Sequence, residues 1–376
     1  MYIMILLPLN QDHIFMSKIE ALIFAATFIF YFSITNGTFW ESDGLITYQS
    51  TQAMVEKFNF IVPCGITPQS INGNCYSQYG LFMSTAIIPF YLIGKIFSNS
   101  YFPADFFPSL TNVFITSILV VLILKYLKKI TTLEYSLLGT FLFACATYVP
   151  AYTKTLYSEP LITLLLYAVI YCLVFLKHNQ KTLFLAGFFL GLALLTKIAI
   201  IIFLPVIIYI FFQKKTNFKK LTVFVIPILV SVLIFFLYNF FRFGNILETG
   251  YGAIKLNYPI IIGLYLHLFS TGKSFFWYQP VLLFSLFGFK EFLKRQPALF
   301  IALGLFTLTS FLFYSIYMHP MGDLTWGTRY LYPCLGFFIL GIVFFLRKSQ
   351  DKLLKALFIV CLIISLLIQF SSVYLS

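Results

Sequence analysis

The chain has 376 residues, of which 60% are hydrophobic and only 10% charged, whereas a soluble domain carries about 25% charged residues. This composition, with a mean hydropathy of +0.93, excludes a water-soluble domain and indicates that lipid is the solvent. The net charge of +13 does not indicate nucleic-acid binding, because the Lys and Arg residues lie in short clusters between apolar runs, as expected for the cytoplasmic loops of a membrane protein.

The predicted elements begin with residues 1–9, a short apolar segment expected at the membrane interface. A first helix at 17–35 is expected to be retained, because no small-residue cleavage site follows it. Further stretches long enough to cross a bilayer lie at 108–126, 134–151, 157–176, 183–197, 198–213, 220–240, 274–290, 298–317, 331–346 and 354–374. We therefore predict an all-α integral membrane protein with about eleven transmembrane helices, forming a single multi-pass domain over residues 1–376.

The orientation depends on the run 81–98, which Pro89 and Lys95 interrupt. If this run crossed the membrane, every later basic cluster would be external, contrary to the positive-inside rule. We therefore predict a juxtamembrane helix at 81–98, a cytoplasmic N-terminus and an external C-terminus, in the cell membrane. Two large extracytoplasmic loops result, 36–107 and 241–273, and the acidic residues gather mostly on this external side.

Two of the six cysteines fall in a polar part of the first loop. Cys64 and Cys75 flank the sequence CGITPQSINGNC, and in an external loop they form either a disulfide or two free thiols. The other four lie within apolar runs and are interpreted as small core residues. The cysteine and histidine spacings do not match a zinc site, so no metal is predicted.

Several charged residues sit where apolar sequence meets a loop. Asp43, in the sequence SDG, either caps the helix that follows or acts as a general base in the partly dry setting near Trp40 and Tyr48. Lys197 lies between two apolar runs, where it either snorkels to water or meets an anion. Glu159, in SEP, has the position of a carboxylate that complements a helix dipole.

Loop sequences along nearly the whole chain resemble those of one protein family. The runs SDGLITYQSTQAM and NCYSQYGLFMSTAIIPFYLIG resemble the first extracytoplasmic loop of GT-C glycosyltransferases, in particular the bacterial branch related to protein O-mannosyltransferases and aminoarabinose transferases. The resemblance continues, in order, through YTKTLYSEPLITLLLY, GFFLGLALLTK, LYNFFRFGNILETGYG, LHLFSTGKSFFWYQPVLL and GDLTWGTRYLYP.

The resemblance implies roles for individual residues. Asp43 occupies the place of the catalytic base, with Glu41 as the fallback. The donor phosphate is expected near Arg329, Lys197 and Lys273, and the sugar or acceptor near Glu159, Tyr48 and Lys154. For Arg329 the alternative is an interfacial anchor that pairs with Asp323.

The predicted function is inverting transfer of a monosaccharide from a polyprenyl-phosphate donor to a lipid, glycan or protein acceptor on the extracytoplasmic face. No cofactor and no nucleic-acid partner are expected, and membrane lipids surround the chain. The apolar run PIIIGLYLHLFS in 241–273 is expected to cover the site. Two alternatives remain open: a lipid or solute transporter or flippase, and a non-catalytic subunit with the same fold.

Overall fold

In lipid, a backbone satisfies its own polar groups most simply as helix, and helices dominate this protein. The computed structural model describes residues 16–65, 67–70, 72–98, 102–252, 256–317, 320, 322 and 325–375. The α-helices are α1 Lys18–Ile34, α2 Ser42–Glu56, α3 Leu81–Phe97, α4 Phe106–Ser109, α5 Thr111–Ile130, α6 Leu133–Cys145, α7 Val149–Thr153, α8 Glu159–Phe175, α9 Gln180–Thr196, α10 Leu204–Gln213, α11 Phe218–Phe243, α12 Ile260–Phe269, α13 Ser285–Arg295, α14 Pro297–Ile316, α15 Leu335–Lys348 and α16 Lys352–Leu375. Three 3-10 helices, Ile198–Phe203, Pro280–Phe284 and Arg329–Cys334, precede α10, α13 and α15. The interfacial segment predicted at 1–9 lies outside the described residues.

Within the described ranges, five helical segments have the length and composition to cross a membrane: Phe106–Ile130, Phe218–Phe243, Pro297–Ile316, Arg329–Lys348 and Lys352–Tyr374. Each of the other stretches predicted to span overlaps a shorter helix or a pair of helices joined by a bend. A mostly helical fold with helices able to cross a membrane is therefore confirmed, whereas the number of crossings stays a prediction.

Burial separates a central layer from a peripheral one. The segment Arg329–Lys348 is 89% buried and Phe106–Ile130 is 78% buried, so these helices form the middle of the bundle. Phe218–Phe243 and Lys352–Tyr374 are only 22% and 17% buried and present most of their apolar surface outward. Close packing of α11 on α9 depends on Gly187, where any Cβ atom would overlap the carbonyl of Phe224.

In its described residues, the segment between α1 and α5 folds into three helices, α2, α3 and the short α4, and a small hairpin. Strands β1 (Ile61–Val62) and β2 (Cys75–Tyr76) pair antiparallel, and a disulfide joins Cys64 to Cys75. Helices α2 and α3 are tied together at one end, because Glu56 accepts a hydrogen bond from the Tyr91 hydroxyl at 2.5 Å and pairs with Lys95 at 3.2 Å. Helix α3 continues through Pro89 and matches the predicted helix at 81–98; its placement along the outer interface stays a prediction.

Candidate active site

A cavity of about 490 Å³ lies where the first loop meets the ends of α9 and α14. Its wall is built from the start of α2, residues 78–79, residues 156–158, the junction of α9 with the following 3-10 helix, residues 251 and 256, the end of α14 and residues 329–330. Segments distant in sequence therefore meet at one end of the bundle. Tyr251 and Leu256, from the 241–273 loop, line this cavity. The run PIIIGLYLHLFS forms α12 and is not among the described residues that line it, so the predicted cover over the site stays a prediction.

Asp43 enters this cavity from the first turn of α2, a helix that begins where the SDG sequence predicts one. Its Oδ1 atom accepts a hydrogen bond from the Tyr79 hydroxyl at 2.5 Å. Its Oδ2 atom lies 2.6 Å from a terminal nitrogen of Arg329. The residue preceding the helix is Glu41, and no side-chain hydrogen bond caps α2. The Asp43 carboxylate therefore does not cap the helix; it contacts Tyr79 and Arg329 in the cavity wall.

Arg329 joins two carboxylates across the site. It begins the 3-10 helix that leads into α15 and is 6% exposed. Besides its contact with Asp43, its Nε atom donates to Oε1 of Glu159 at 2.9 Å. Its guanidinium also lies over the Tyr157 ring at 3.8 Å from the centroid. This network differs from the predicted alternative of an interfacial anchor; Asp323, the partner in that alternative, lies outside the described residues.

Lys197 supplies a second cation to the same Glu159 oxygen. It follows the last residue of α9, and its Nζ atom lies 3.0 Å from Oε1 of Glu159 and 4.6 Å from the centroid of the Tyr330 ring. Glu159 opens α8 and is 3% exposed, so it both complements that helix start and carries two ion pairs. The two carboxylates and two cations balance in charge, and this network lies against the cavity wall.

Tyr79 lines the cavity but was not predicted from the sequence. Burial and the adjacent Asp43 raise the pKa of Tyr79 above its ordinary value, so its hydroxyl stays protonated and donates. The next residue, Gly80, packs so closely on the end of α9 that a Cβ atom would overlap the carbonyl oxygens of Leu195 and Thr196. The QYG sequence thus connects Asp43 to the helix end that carries Lys197.

Arg242 binds the segment that carries Tyr79. The buried guanidinium, at the end of α11, donates to the carbonyl of Ser77, and to Oδ1 of Asn239 at 2.7 Å. It also lies 3.7 Å from the centroid of the Tyr238 ring. Arg242 therefore positions the segment after β2, which carries Tyr79, and is not among the described residues that line the cavity.

Glu41, the fallback base, is used differently. Its Oε1 atom accepts the backbone N–H of Leu156 at 2.5 Å, which ties the start of α2 to the segment before α8. Burial raises the pKa of this carboxyl above its ordinary value. Glu41 is not among the described residues that line the cavity; its carboxylate links the start of α2 to the segment before α8.

Three other predicted site residues do not reach the cavity among the residues described. Tyr48 is 8% exposed and packs edge-on against Phe39 and Tyr91, because it lies on the opposite face of α2 from Asp43. Lys154 donates to the carbonyl of Val373 at 2.7 Å and thus faces α16. Lys273 is half-buried in the turn that follows α12. None of the three is among the described residues that line the cavity with Asp43, and their predicted binding roles stay predictions.

An apolar groove adjoins the charged cavity. It has a volume of about 780 Å³ and is lined by residues of the 3-10 helix Ile198–Phe203 and of α10, α12 and α14. Ile201 and Phe313 line both spaces, so the groove and the cavity share a wall. In the described part of the chain, no group of three or more His, Cys, Asp and Glu side chains is placed to hold a metal ion.

Comparison with known proteins shows which folds this chain resembles. A family model described as dolichyl-phosphate-mannose-protein mannosyltransferase matches residues 85–239. The fold is similar to that of ArnT from Cupriavidus metallidurans bound to undecaprenyl phosphate, with a TM-score of 0.59 at 11% identity, over 88% of this chain and 60% of that one. It is also similar to the oligosaccharyltransferase AglB from Archaeoglobus fulgidus in complex with an inhibitory peptide and a dolichol-phosphate, with a TM-score of 0.61 at 12% identity, over 95% of this chain and 56% of that one.

These matches confirm the predicted resemblance: the chain has the fold of the GT-C glycosyltransferases. It spans about 60% of the length of these solved structures. A search of curated proteins found no match.

Proposed function

We propose that this protein is a membrane glycosyltransferase that transfers a monosaccharide, a hexose or a pentose, from a polyprenyl-phosphate donor. The acceptor is a hydroxyl of a lipid, glycan or protein. The observation that carries this proposal is the shared wall of a charged cavity and an apolar groove. A polyprenyl-phosphate sugar has the same division into a charged head and an apolar tail.

The charged cavity suits the leaving group. As the bond between the anomeric carbon and the phosphate oxygen breaks, its electron pair stays with the polyprenyl phosphate, which gains a second negative charge. Arg329 and Lys197, held together by Glu159, provide fixed cationic charge close to the position where that phosphate would sit. Their ion pairs with carboxylates keep both cations in place before the donor arrives.

Asp43, which contacts Arg329 at 2.6 Å, suits the attacking group. The acceptor hydroxyl forms a new bond to the anomeric carbon and gives its proton to Asp43. A carboxylate has about four lone-pair positions, so the contacts of Asp43 with Tyr79 and Arg329 leave positions for that hydroxyl. Attack from the face opposite the departing phosphate inverts the configuration of the sugar.

Two features support an extracytoplasmic site in the cell membrane. The Cys64–Cys75 disulfide belongs to the same loop as Asp43 and Tyr79, and disulfides persist in oxidising compartments. The lysine-rich turns after α8 and α10 lie at the other end of those helices from the cavity, as expected for a cytoplasmic side.

The two rival functions are less well supported. A non-catalytic subunit with this fold would not need Asp43 in a cavity, yet Asp43 lines it. A transporter would place paired charges along a path through the bundle, whereas the Asp43, Glu159, Lys197 and Arg329 network lies at one end of it.

The test is transfer of a labelled sugar from a panel of polyprenyl-phosphate donors by the purified chain. Asp43→Asn keeps the size of the side chain but removes the base, so we expect at least a ~100-fold loss of turnover. Asp105→Asn is the matched control, because Asp105 lies in the same loop and contacts Thr38. Equal turnover by wild type and Asp43→Asn would remove Asp43 from its role. If the folded wild type turned over no donor in a broad panel, the non-catalytic or transport function would replace this proposal.

A further inference from the structure

A second charged region lies at the end of the bundle opposite the cavity. Helix α8 leaves the cavity at Glu159, and α9 returns to it at Thr196, so the turn between them lies at the far end. The turn between α10 and α11 lies beside it. The two turns and the first residues of α9 and α11 carry six lysines, which we call the inner basic patch: Lys177, Lys181, Lys214, Lys215, Lys219 and Lys220.

The patch differs from the neighbouring basic clusters because, in the part of the chain that the structure describes, no carboxylate lies within ion-pair distance of it. Lys125 and Lys128 pair with Glu20 at 3.6 and 2.9 Å. Arg295 and Lys348 pair with Glu291. Among the described residues, by contrast, no carboxylate forms an ion pair with a lysine of the inner basic patch. These exposed cations therefore repel one another unless an anion from outside the chain binds between them.

Two cavities open within the patch and share Lys220. One, of about 310 Å³, has Lys177, Lys214 and Thr216 in its wall. The other, of about 550 Å³, has Lys181 and Lys219. The side chains of Asn179 and Asn217 already cap the starts of α9 and α11, so an anion here would be held mainly by lysine ammonium groups.

The smaller cavity is apolar on one side. Val174, Phe175 and Leu176 form part of the wall of the smaller cavity. The side chains of Phe212 and Phe218, on the two sides of the α10–α11 turn, are 83% and 82% exposed. Large aromatic side chains next to lysines at a helix end are typical of the boundary between hydrocarbon and headgroups.

We propose that the inner basic patch binds the phosphate of an anionic phospholipid headgroup, with its acyl chains against the apolar side of the cavity. The exposed lysines of the patch, which pair with no carboxylate of the described residues, match the negative charge of the headgroup. The apolar wall and the two exposed phenylalanines match the chains attached to it. This site is separate from the proposed transfer reaction and does not depend on it.

The experiment is titration of the detergent-purified chain with phosphatidylglycerol and with phosphatidylcholine, followed by native mass spectrometry. We expect phosphatidylglycerol to bind at least ~10-fold more tightly, and Lys214→Gln/Lys220→Gln to abolish most of that preference, since each lysine near an anionic lipid contributes about a fivefold factor. Lys290→Gln/Lys294→Gln is the matched control, because it removes two exposed lysines beside Glu291 and outside the patch. We expect this control to bind like the wild type.

Equal binding of the two lipids by the wild type, or an unchanged preference in the patch variant, would overturn the proposal. A third arm adds soluble glycerol phosphate. If this headgroup analogue bound as tightly as phosphatidylglycerol, the ligand would be a free phosphate compound and the lipid assignment would be wrong.

Discussion

The hydrogen bond from Tyr79 to Asp43 provides the sharpest test of how the site is positioned. Tyr79→Phe removes one hydroxyl and keeps the ring, which packs edge-on against Tyr251 with 6.3 Å between the centroids. The Arg329 contact to the other carboxylate oxygen remains. The variant therefore isolates the effect of a single donor on the orientation of the Asp43 carboxylate.

A hydrogen bond to a charged group contributes about 1.5–3 kcal/mol, and each 1.4 kcal/mol corresponds to a tenfold change. If Asp43 must be held in place to accept the proton, kcat is expected to fall by about 10- to 150-fold. The KM for the donor should change little, because the proposed phosphate contacts belong to Arg329 and Lys197.

The assay is labelled-sugar transfer at saturating donor, with thermal unfolding measured in parallel. Tyr251→Phe is the matched control: Tyr251 lines the same cavity, and its hydroxyl makes no hydrogen bond among the described residues. If Tyr79→Phe kept more than half of the wild-type kcat while Asp43→Asn was inactive, the inferred positioning role of Tyr79 would be wrong.

Three further predictions concern the supports of the site. Arg329→Lys keeps the charge, but a single ammonium group cannot reproduce the planar link between Asp43 and Glu159, so kcat is expected to fall at least ~100-fold; transfer near the wild-type rate would contradict this. Gly80→Ala is expected to lower the free energy of unfolding by about 1–3 kcal/mol and to impair transfer, because the added methyl group meets the end of α9; Gly65→Ala, which meets nothing, should behave as wild type in the same melting assay. For Glu41, the folded-state pKa is raised, so the folded chain binds the proton more tightly and its stability falls as pH rises from the ordinary carboxyl value to the raised one. Glu41→Gln should lack this loss, and parallel pH-dependent slopes of melting temperature in the two proteins would refute the assignment.

The sequence predicted the membrane class, the helix after SDG and four of the charged groups that the structure brings together. Each of Asp43, Glu159, Lys197 and Arg329 was found at the border of an apolar run, where a charge is costly. Their mutual pairing was not predicted, because they come from four distant segments and only the packing of the bundle fixes the distances.

The errors have local physical causes. Tyr48 was grouped with Asp43 because it is near in sequence, but Thr47, one turn after Asp43, shares its face of α2 and Tyr48 does not. Tyr79 was missed because one tyrosine among 25 carries no distinguishing signal. Its neighbour Gly80 was a usable hint, since a glycine beside a loop tyrosine is consistent with a close approach of two backbones.

The wall that Ile201 and Phe313 share between groove and cavity has a kinetic consequence. A donor whose tail occupies the groove reaches the charged cavity sideways, by diffusion within one leaflet, and never crosses bulk water. Its encounter rate then depends on its mole fraction among the surrounding lipids. Diluting the donor with inert phospholipid at constant bulk concentration should slow transfer, whereas diluting the whole vesicle suspension should leave the turnover number unchanged.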